Sequence, residues 1–277
     1  MRNKINFLEQ IEVKVKDVAE EITCIAVIIS SGEIKETSTI FTVDDVKGFN
    51  IGDEVYLTDR NGNSVFTRVI DITNPDKLEV NGDQMIFLKG ALMKKTDAGK
   101  YLDEAIAVYS KYRPQERMGK KLIKDPVNIF DLPADWENGF SIINSIVYPV
   151  DLFPVYILPK NVYEIFLDDG NIYKLRFTKN VSTAYIINYI ISHSFNDSNP
   201  PVTTIPDSDF YCICNIAAGY YLLALANRYG QNVNPTLGSS TINYDDKSEK
   251  YIKLAGDMLL QAASWLGVNG LPFRPSP

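Results

Sequence analysis

The chain has 277 residues, a length at which single domains begin to split, so two domains are expected. Apolar residues make up 45% of it and charged residues 23%, which is ordinary globular usage and excludes a disordered or fibrous protein. The formal net charge is −7 and no run of lysine or arginine occurs, which argues against sequence-specific nucleic-acid binding because phosphates are neutralised by basic stripes.

The cysteine content and the first residues both indicate a reducing compartment. Cys24, Cys212 and Cys214 are an odd number in a long chain, which is not typical of a disulfide framework. The first residues are polar and lack the apolar core of a signal peptide, so we expect assembly in a cytoplasm. An acidic protein can also surround DNA, since a carboxylate-lined channel repels the backbone and lets it slide. The alternative is an ordinary acidic surface.

The N-terminal third predicts a helix and a small barrel. Apolar residues from Leu8 to Ile22 recur at alternating spacings of three and four, which favours a helix, although Val13 and Val15 also fit a strand. From about Ile40 to Leu88, short alternating runs are separated by turn sequences such as Gly52-Asp53. About five strands at this spacing predict an SH3-like or KOW-like β-barrel.

The middle of the chain predicts one helix followed by short strands. Gly90 to Lys95 is predicted as a seam, and the helix after it ends at Pro114. From about Leu122 to Ile191 the pattern is β-rich, with prolines that limit strand length. The clearest hairpin spans Asn161 to Phe177, where Asp169-Gly170 is expected to supply the positive φ of a type I′ turn.

Two long helices and an extended tail are predicted at the C-terminal end. The first runs to about Arg228, and its uncharged part, Phe210 to Ala226, is shorter than the roughly 20 residues of a bilayer span, so we expect a helix buried in protein. The second begins at about Tyr244 and places on one stripe Tyr251, Leu254, Met258, Ala262 and Trp265. Three prolines favour an extended peptide after Gly267.

These elements predict an α+β protein in three parts. Residues 1–91 form an N-terminal domain with the small β-barrel, and residues 92–267 form a helical core, one helix plus a C-terminal helix pair, with an inserted antiparallel β-sheet. Residues 268–277 form an extended tail.

Candidate chemical groups have structural interpretations. His193, the single histidine, ends a strand and is interpreted as solvated and not catalytic. Cys212 and Cys214 point about 200° apart on a helix and are interpreted as core residues. Asp207 and Asp209 complement a helix dipole. No phosphate-binding glycine loop occurs, so we predict no catalytic residue, metal or cofactor, and a protein that is not an enzyme.

The remaining apolar residues favour a subunit interface. A nearly uncharged helix, a second helix and an apolar proline tail offer more apolar area than one helical layer buries. Aromatic residues and arginine are the residue types most often found as interface hot spots. The interface candidates are Tyr220, Tyr221, Arg228, Trp265, Leu271, Phe273 and Arg274, with a core position as the alternative for Trp265.

Five motifs between Leu92 and Gly267 resemble the head–tail connector (adaptor, or neck) proteins of tailed bacteriophages. In chain order they are Ala105-Ile106-Ala107-Val108-Tyr109-Ser110-Lys111-Tyr112-Arg113-Pro114, Leu132-Pro133-Ala134-Asp135-Trp136 with Gly139-Phe140-Ser141, Ile146-Val147-Tyr148-Pro149, Thr203-Thr204-Ile205-Pro206-Asp207, and Ala217-Ala218-Gly219-Tyr220-Tyr221-Leu222-Leu223-Ala224-Leu225-Ala226. Their order and spacing carry the resemblance. Residues before about Gly90 match nothing in the short connectors.

The resemblance implies a structural virion protein located in the neck. It implies a helical core with a β-insertion, assembled as a twelve-fold homo-oligomeric ring under the portal protein. Double-stranded DNA passes through such a ring without being read, and a tail or tail-completion protein binds below it. The C-terminal segment often embeds in the portal, which would give the segment from Leu271 to Pro277 a role. Alternatives are a tail-completion or baseplate subunit, or a peptide- or carbohydrate-binding module.

Overall fold

The protein is α+β, with about 35% strand and 33% helix. The structure is a computed structural model that describes residues 2–15, 23–34, 38–61, 63–73, 76–82, 87, 89–96, 98–123, 127–150, 153–198, 200–230, 236–237, 240–241 and 244–272. Among these residues the α-helices are α1 (Lys4–Lys14), α2 (Ala98–Tyr112), α3 (Phe210–Gly230) and α4 (Tyr244–Leu266).

The chain divides into two compact units. One unit contains residues 1–106 and 194–277, and the other, the insert, contains residues 107–193. The division into compact units does not test which segments fold independently, so the domain boundaries predicted after residues 91 and 267 remain predictions.

Six strands close into an antiparallel barrel in the order β1-β2-β5-β4-β3-β6. The strands are β1 (Thr23–Ile34), β2 (Ser38–Val43), β3 (Glu54–Thr58), β4 (Ser64–Ile72), β5 (Lys77–Asn81) and β6 (Leu92–Thr96). Their alternating inward residues, among them Ile28, Phe41 and Leu78, form a hydrophobic core. The barrel expected between residues 40 and 88 is present, and it begins earlier and ends later than expected.

The first helix begins with a capping box and packs on α3. The Asn3 side chain accepts a hydrogen bond from the Asn6 N–H, and the Asn6 side chain accepts one from the Asn3 N–H. The ring centroids of Phe7 and Phe210 lie 4.6 Å apart, edge to face. The helix therefore starts four residues before Leu8, and the predicted extension over residues 16–22 lies outside the described residues.

Helices α3 and α4 pack closely along a line of small residues. A Cβ atom on Gly219 would lie 2.8 Å from Cγ of Leu259, so only glycine allows this approach. The buried face of α4 is rotated from the predicted stripe: Tyr251 and Ala262 are buried, whereas Leu254 and Trp265 are exposed. The expected stripe was wrong for Leu254, and the core alternative was wrong for Trp265, because Ala255 and Leu259 are the residues that face α3.

The insert consists of two three-stranded antiparallel sheets, ordered β7-β12-β9 and β10-β11-β8. The strands are β7 (Gln115–Lys121), β8 (Val127–Asp131), β9 (Ile143–Val147), β10 (Tyr163–Leu167), β11 (Tyr173–Val181) and β12 (Tyr185–Ile191). One core joins the sheets, in which Phe130, Phe177 and Tyr185 contact one another edge to face. The remaining described strands, β13 (Thr236–Leu237) and β14 (Ser240–Thr241), form a short pair.

The prediction of a helical connector core was wrong. The protein is sheet-dominated, because the barrel has one core, the two further sheets share another, and strand pairs such as β1 with β6 and β7 with β12 join segments far apart in sequence. Such pairing leaves no local pattern along the chain, whereas helix periodicity is local and easily recognised.

The hairpin predicted around Asp169-Gly170 is formed by β10 and β11, but its turn differs. The residue with positive φ is Asn171, at 59°, and the Asp168 carboxylate accepts the N–H groups of Gly170 and Ile172. The side chain of Asp168 therefore organises the turn, and the type I′ assignment was wrong.

Candidate interaction surface

The predicted interface residues occupy different environments. Tyr220 and Tyr221 are buried within their own unit, with Tyr221 in edge-to-face contact with Tyr101. Arg228 is exposed and lines a cleft together with Lys100 and Tyr101. The two tyrosines therefore stabilise the helix packing of one chain, and Arg228 remains accessible to a partner.

The Trp265 side chain is held in one orientation, although about half of the residue is exposed to solvent. Its Nε1–H donates to Oδ1 of Asp209 over 3.1 Å, and Asp209 is buried at the turn that precedes α3. The rest of the indole is open, with 54% of the residue exposed. A pinned, half-exposed tryptophan loses little side-chain entropy when it binds, which suits an interface anchor.

The predicted tail is described only at its start. Leu271 is partly buried and Pro272 is exposed. Phe273 and Arg274 lie outside the described residues, so their interface assignments remain predictions.

Exposed apolar residues concentrate on the insert. Among the described residues, 24 large hydrophobic residues are exposed, and 14 of them lie between residues 107 and 193. They are Tyr112, Met118, Leu122, Val127, Ile129, Ile142, Phe153, Val155, Tyr156, Ile157, Ile165, Leu167, Ile172 and Tyr173. Less than a third of the chain thus carries more than half of these residues, which marks the insert as the candidate interaction surface.

Strand β12 carries apolar residues on both faces, although only one face is covered by the insert core. Tyr185, Ile187, Tyr189 and Ile191 are buried in the insert core, whereas Ile186 and Ile190 on the opposite face are only half-buried. The exposed Met118 pairs with Asn188 on that outer face. Strands that are apolar on both faces are typical of sheets covered on both faces. The outer face is therefore suited to a partner.

A second apolar feature is the segment Phe153–Leu158, called the arm below. Phe153 is 96% exposed, and Val155, Tyr156 and Ile157 are each more than half exposed. The arm is held at one side, because Tyr148 N–H donates to the Tyr156 carbonyl and Leu158 N–H donates to the Ile146 carbonyl. An apolar segment with an ordered backbone and exposed side chains is available for contact.

Two of the motifs singled out in the sequence fix the ends of elements in the insert. The buried Ser110 hydroxyl accepts the His193 N–H over 2.9 Å, and the His193 ring nitrogen Nε2 lies 3.1 Å from the Arg113 carbonyl oxygen. These bonds join the end of α2 to the end of β12. His193 is buried beside the Tyr109 ring, so its interpretation as a solvated residue was wrong.

The loop between β8 and β9 is tied to β12 by two carboxylates. Glu137 accepts the Ser192 hydroxyl over 2.7 Å and the Ser192 N–H, and Asp135 accepts the Tyr189 hydroxyl. Trp136 packs against the insert core. The second motif therefore has a structural role that holds the loop against the sheet.

The two cysteines and Asp209 lie inside the fold, whereas Asp207 is exposed. Cys212 and Cys214 are thiols buried on α3, and burial raises the pKa of Cys214 to about 12, so its thiol stays protonated. Over the ranges of residues described above, no group of three or more histidine, cysteine or acidic side chains is placed to hold a metal ion.

One described helical stretch, residues 207–230, has the length and apolar composition that a membrane span needs, and 89% of its most apolar 18-residue window is buried inside the protein. This burial is that of a core helix.

The sequence-based prediction missed the arm and strand β10 as surface features. A signal for the arm is visible in the sequence: between Pro149 and Pro159, nine residues include a single charge, Asp151. Apolar runs of this kind are also typical of buried strands, which is why the pattern did not identify an exposed segment.

Comparison with known proteins found no protein-family model and no curated protein that matches this chain.

Proposed function

We propose that this chain is a structural protein of a tailed-bacteriophage virion, a head-to-tail adaptor that assembles as a homo-oligomeric ring under the portal. The ring connects the capsid to the tail and surrounds the channel through which double-stranded DNA passes. The observation that carries the proposal is the apolar surface of the insert, because a single chain leaves it open to water and copies in a ring can cover it.

The charge of the protein agrees with this role. The insert holds ten basic and nine acidic residues, whereas the rest of the chain holds 18 basic and 26 acidic residues. The apolar unit is thus nearly neutral, which favours contact between identical copies, and the acidic unit repels phosphates. The motifs that resemble those of connector proteins are the reason that we propose the neck and not another position in the virion.

In this proposal the protein acts mechanically and not as an enzyme. Ring closure presents the same surfaces many times, so contacts that are weak singly become durable together. Trp265, Arg228 and the segment Leu271–Pro277 are the proposed contacts to the portal, and a tail or tail-completion protein binds on the other side of the ring. Assembly takes place in the cytoplasm of the bacterial host.

Imaging of virus particles tests the position of the protein. A particle whose copies of this chain carry a small fused tag is expected to show extra density in a ring directly below the portal vertex. Density in the distal tail or baseplate would instead assign the chain to the alternative role of a tail-completion or baseplate subunit.

The segment Leu271–Pro277 provides a second test. Its deletion is expected to leave a folded subunit that no longer attaches to portal-bearing heads, because the apolar contact is removed. Replacement of the segment by seven glycine and serine residues is the matched control for length and should fail in the same way. Attachment by either variant at the level of the unmodified chain would refute this role for the segment.

A further inference from the structure

One edge of the sheet β10-β11-β8 is open along β10. Among the described residues, β10 pairs on one side only, with β11. The Asp168 N–H donates to the Ile172 carbonyl, so alternate residues before Asp168 also face β11. In an antiparallel pair the residues between them direct their N–H and C=O groups away from the partner. Tyr163, Ile165 and Leu167 therefore present their backbone groups at the edge.

This edge lacks the usual protection against strand addition. Natural edge strands carry free charges, prolines or bulges that prevent pairing with another chain. The single charged residue of β10 is Glu164, and Arg176 of β11 already binds its carboxylate through Nε over 2.6 Å. The exposed residues Ile165 and Leu167 are apolar. Strand β10 is therefore open to pairing with a further strand.

A strand added at β10 would extend the insert core. Ile165 pairs with the buried Leu175, and Tyr163 pairs with the buried Phe177, so the odd-numbered residues of β10 lie on the core side of the sheet. Ile165 and Leu167 stay 38% and 48% exposed because the cover ends before the edge. A strand that covers these two residues needs apolar side chains and about the length of β10, about 17 Å at 3.3 Å per residue.

The arm has the complementary edge. Tyr156 and Leu158 direct backbone groups toward β9, so Val155 and Ile157 direct theirs outward. The arm carries no charge, and its outward-facing residues Val155 and Ile157 are both apolar.

We propose that the arm of one copy adds as a strand to β10 of the neighbouring copy. The occupant is a second copy because the chain itself supplies both an apolar open edge, whose one carboxylate is already bound by Arg176, and an uncharged apolar segment with an outward edge of its own. Each copy offers two different surfaces, so the contact is heterologous, and heterologous contacts repeated by a closing rotation make a ring. The inference rests on the proposed ring and names the contact that closes it.

Photochemical cross-linking tests which strands meet. Phe153 is replaced by p-benzoylphenylalanine, and isotopically light and heavy protein are mixed. The mixture is irradiated under two conditions, concentrated in solution and assembled on heads. We expect cross-links between light and heavy chains that map to residues 163–167. The matched control places the same photoreactive residue at Met118, which is 73% exposed on the other sheet and should not label β10.

Each other outcome of the cross-linking overturns the proposal. Cross-links confined to one chain, or to segments other than β10, exclude the arm as the added strand. Pairing of β10 with β10 of a second copy would indicate a two-fold dimer, and labelling of a different protein would indicate a foreign strand. A chain that stays monomeric both in solution and on heads also excludes it.

Charged substitutions on β10 test the edge independently. The double variant Ile165→Lys and Leu167→Lys should lose self-association in sedimentation velocity, because lysine on an edge strand opposes pairing. The control, Ile25→Lys with Ile70→Lys, changes residues of similar exposure on β1 and β4, outside the insert, and should assemble normally. An unchanged melting temperature shows that each variant folds. Normal assembly of the β10 variant would overturn the proposal.

The two proposals fail in different ways. A ring at the neck that forms despite the β10 substitutions would reject the addition of the arm to β10 and leave the adaptor function intact. Cross-links from the arm to β10 in a protein that is imaged in the distal tail would reject the adaptor function and keep the addition of the arm to β10.

Discussion

At the scale of single residues, Gly219 decides how closely the two long helices approach. A Cβ at this position would meet Leu259 Cγ at 2.8 Å and the Ala255 carbonyl oxygen at 3.4 Å. Leu259 Cγ is a branch point in a buried side chain and cannot move aside alone. Gly256 on α4 offers the contrast, because a Cβ there meets nothing within 4 Å.

Gly219→Ala is expected to lower the free energy of unfolding. Overpacking costs about 1–3 kcal/mol, which exceeds the gain of about 1 kcal/mol that alanine brings to a helix. Gly256→Ala, the matched control, should raise the free energy of unfolding by about 1 kcal/mol because only the helix gain applies. Chemical denaturation of both variants measures the difference, and equal stabilisation by both would contradict a tight contact at Gly219.

Trp265 shows how a single hydrogen bond separates two interpretations of one residue. The helical spacing of α4 fits Trp265 as core or as interface, and the buried carboxylate of Asp209 holds the indole at the surface by binding its N–H. The partner lies 56 residues away in sequence, so no local pattern predicts it.

At the scale of elements, β12 is the central strand of its sheet and contributes one side to the insert core. Tyr185 on that side is almost completely buried, and burial raises the pKa of its hydroxyl to about 12, from its ordinary value of 10.0. The neutral phenol is therefore favoured in the folded state. A carboxylate, Asp131, adds to the effect by repelling the phenolate.

Alkaline pH is expected to destabilise the protein through Tyr185. Because the folded-state pKa is raised, the contribution is fully present below pH 10 and is lost as the pH rises through about 12. The free energy of unfolding should fall by up to about 1.4 kcal/mol per pH unit for this proton. Tyr185→Phe keeps the ring and should flatten the profile. Tyr112→Phe, at an exposed tyrosine, is the control, and identical profiles would contradict the burial of the hydroxyl.

At the scale of the whole molecule, charge and apolar surface are separated between the two units. The unit of residues 1–106 and 194–277 carries the acidic excess, and the insert carries most of the exposed apolar residues. This separation allows contact between copies and repulsion of phosphates to belong to different parts of one chain.

The purified protein is expected not to bind linear duplex DNA, even at low ionic strength where electrostatic attraction is strongest. The net charge of −7 repels the phosphates, and low salt lengthens the range of that repulsion. Fluorescence anisotropy of a labelled duplex measures the binding, with a basic DNA-binding protein as the positive control. An affinity that decreases with added salt would reveal a phosphate-binding surface and contradict the expectation.

The sequence by itself determined the elements whose signals are local. The barrel is recognisable because its turns need glycine: Gly52 and Gly82 have φ of 93° and 130°, which other residues rarely adopt. The long helices α3 and α4 are recognisable from their length, their composition and their proline and glycine boundaries. The absence of a basic stripe is likewise a property of the sequence alone.

Only the tertiary structure decided which apolar residues are covered. Tyr220 and Phe153 are both large and largely apolar, yet Tyr220 is completely buried on α3 and Phe153 is 96% exposed on the arm. The sheet-dominated architecture also depends on strands paired far apart in the chain, as β1 pairs with β6. Burial and long-range pairing are properties of the whole packed chain, so the spacing of residues along the sequence cannot specify them.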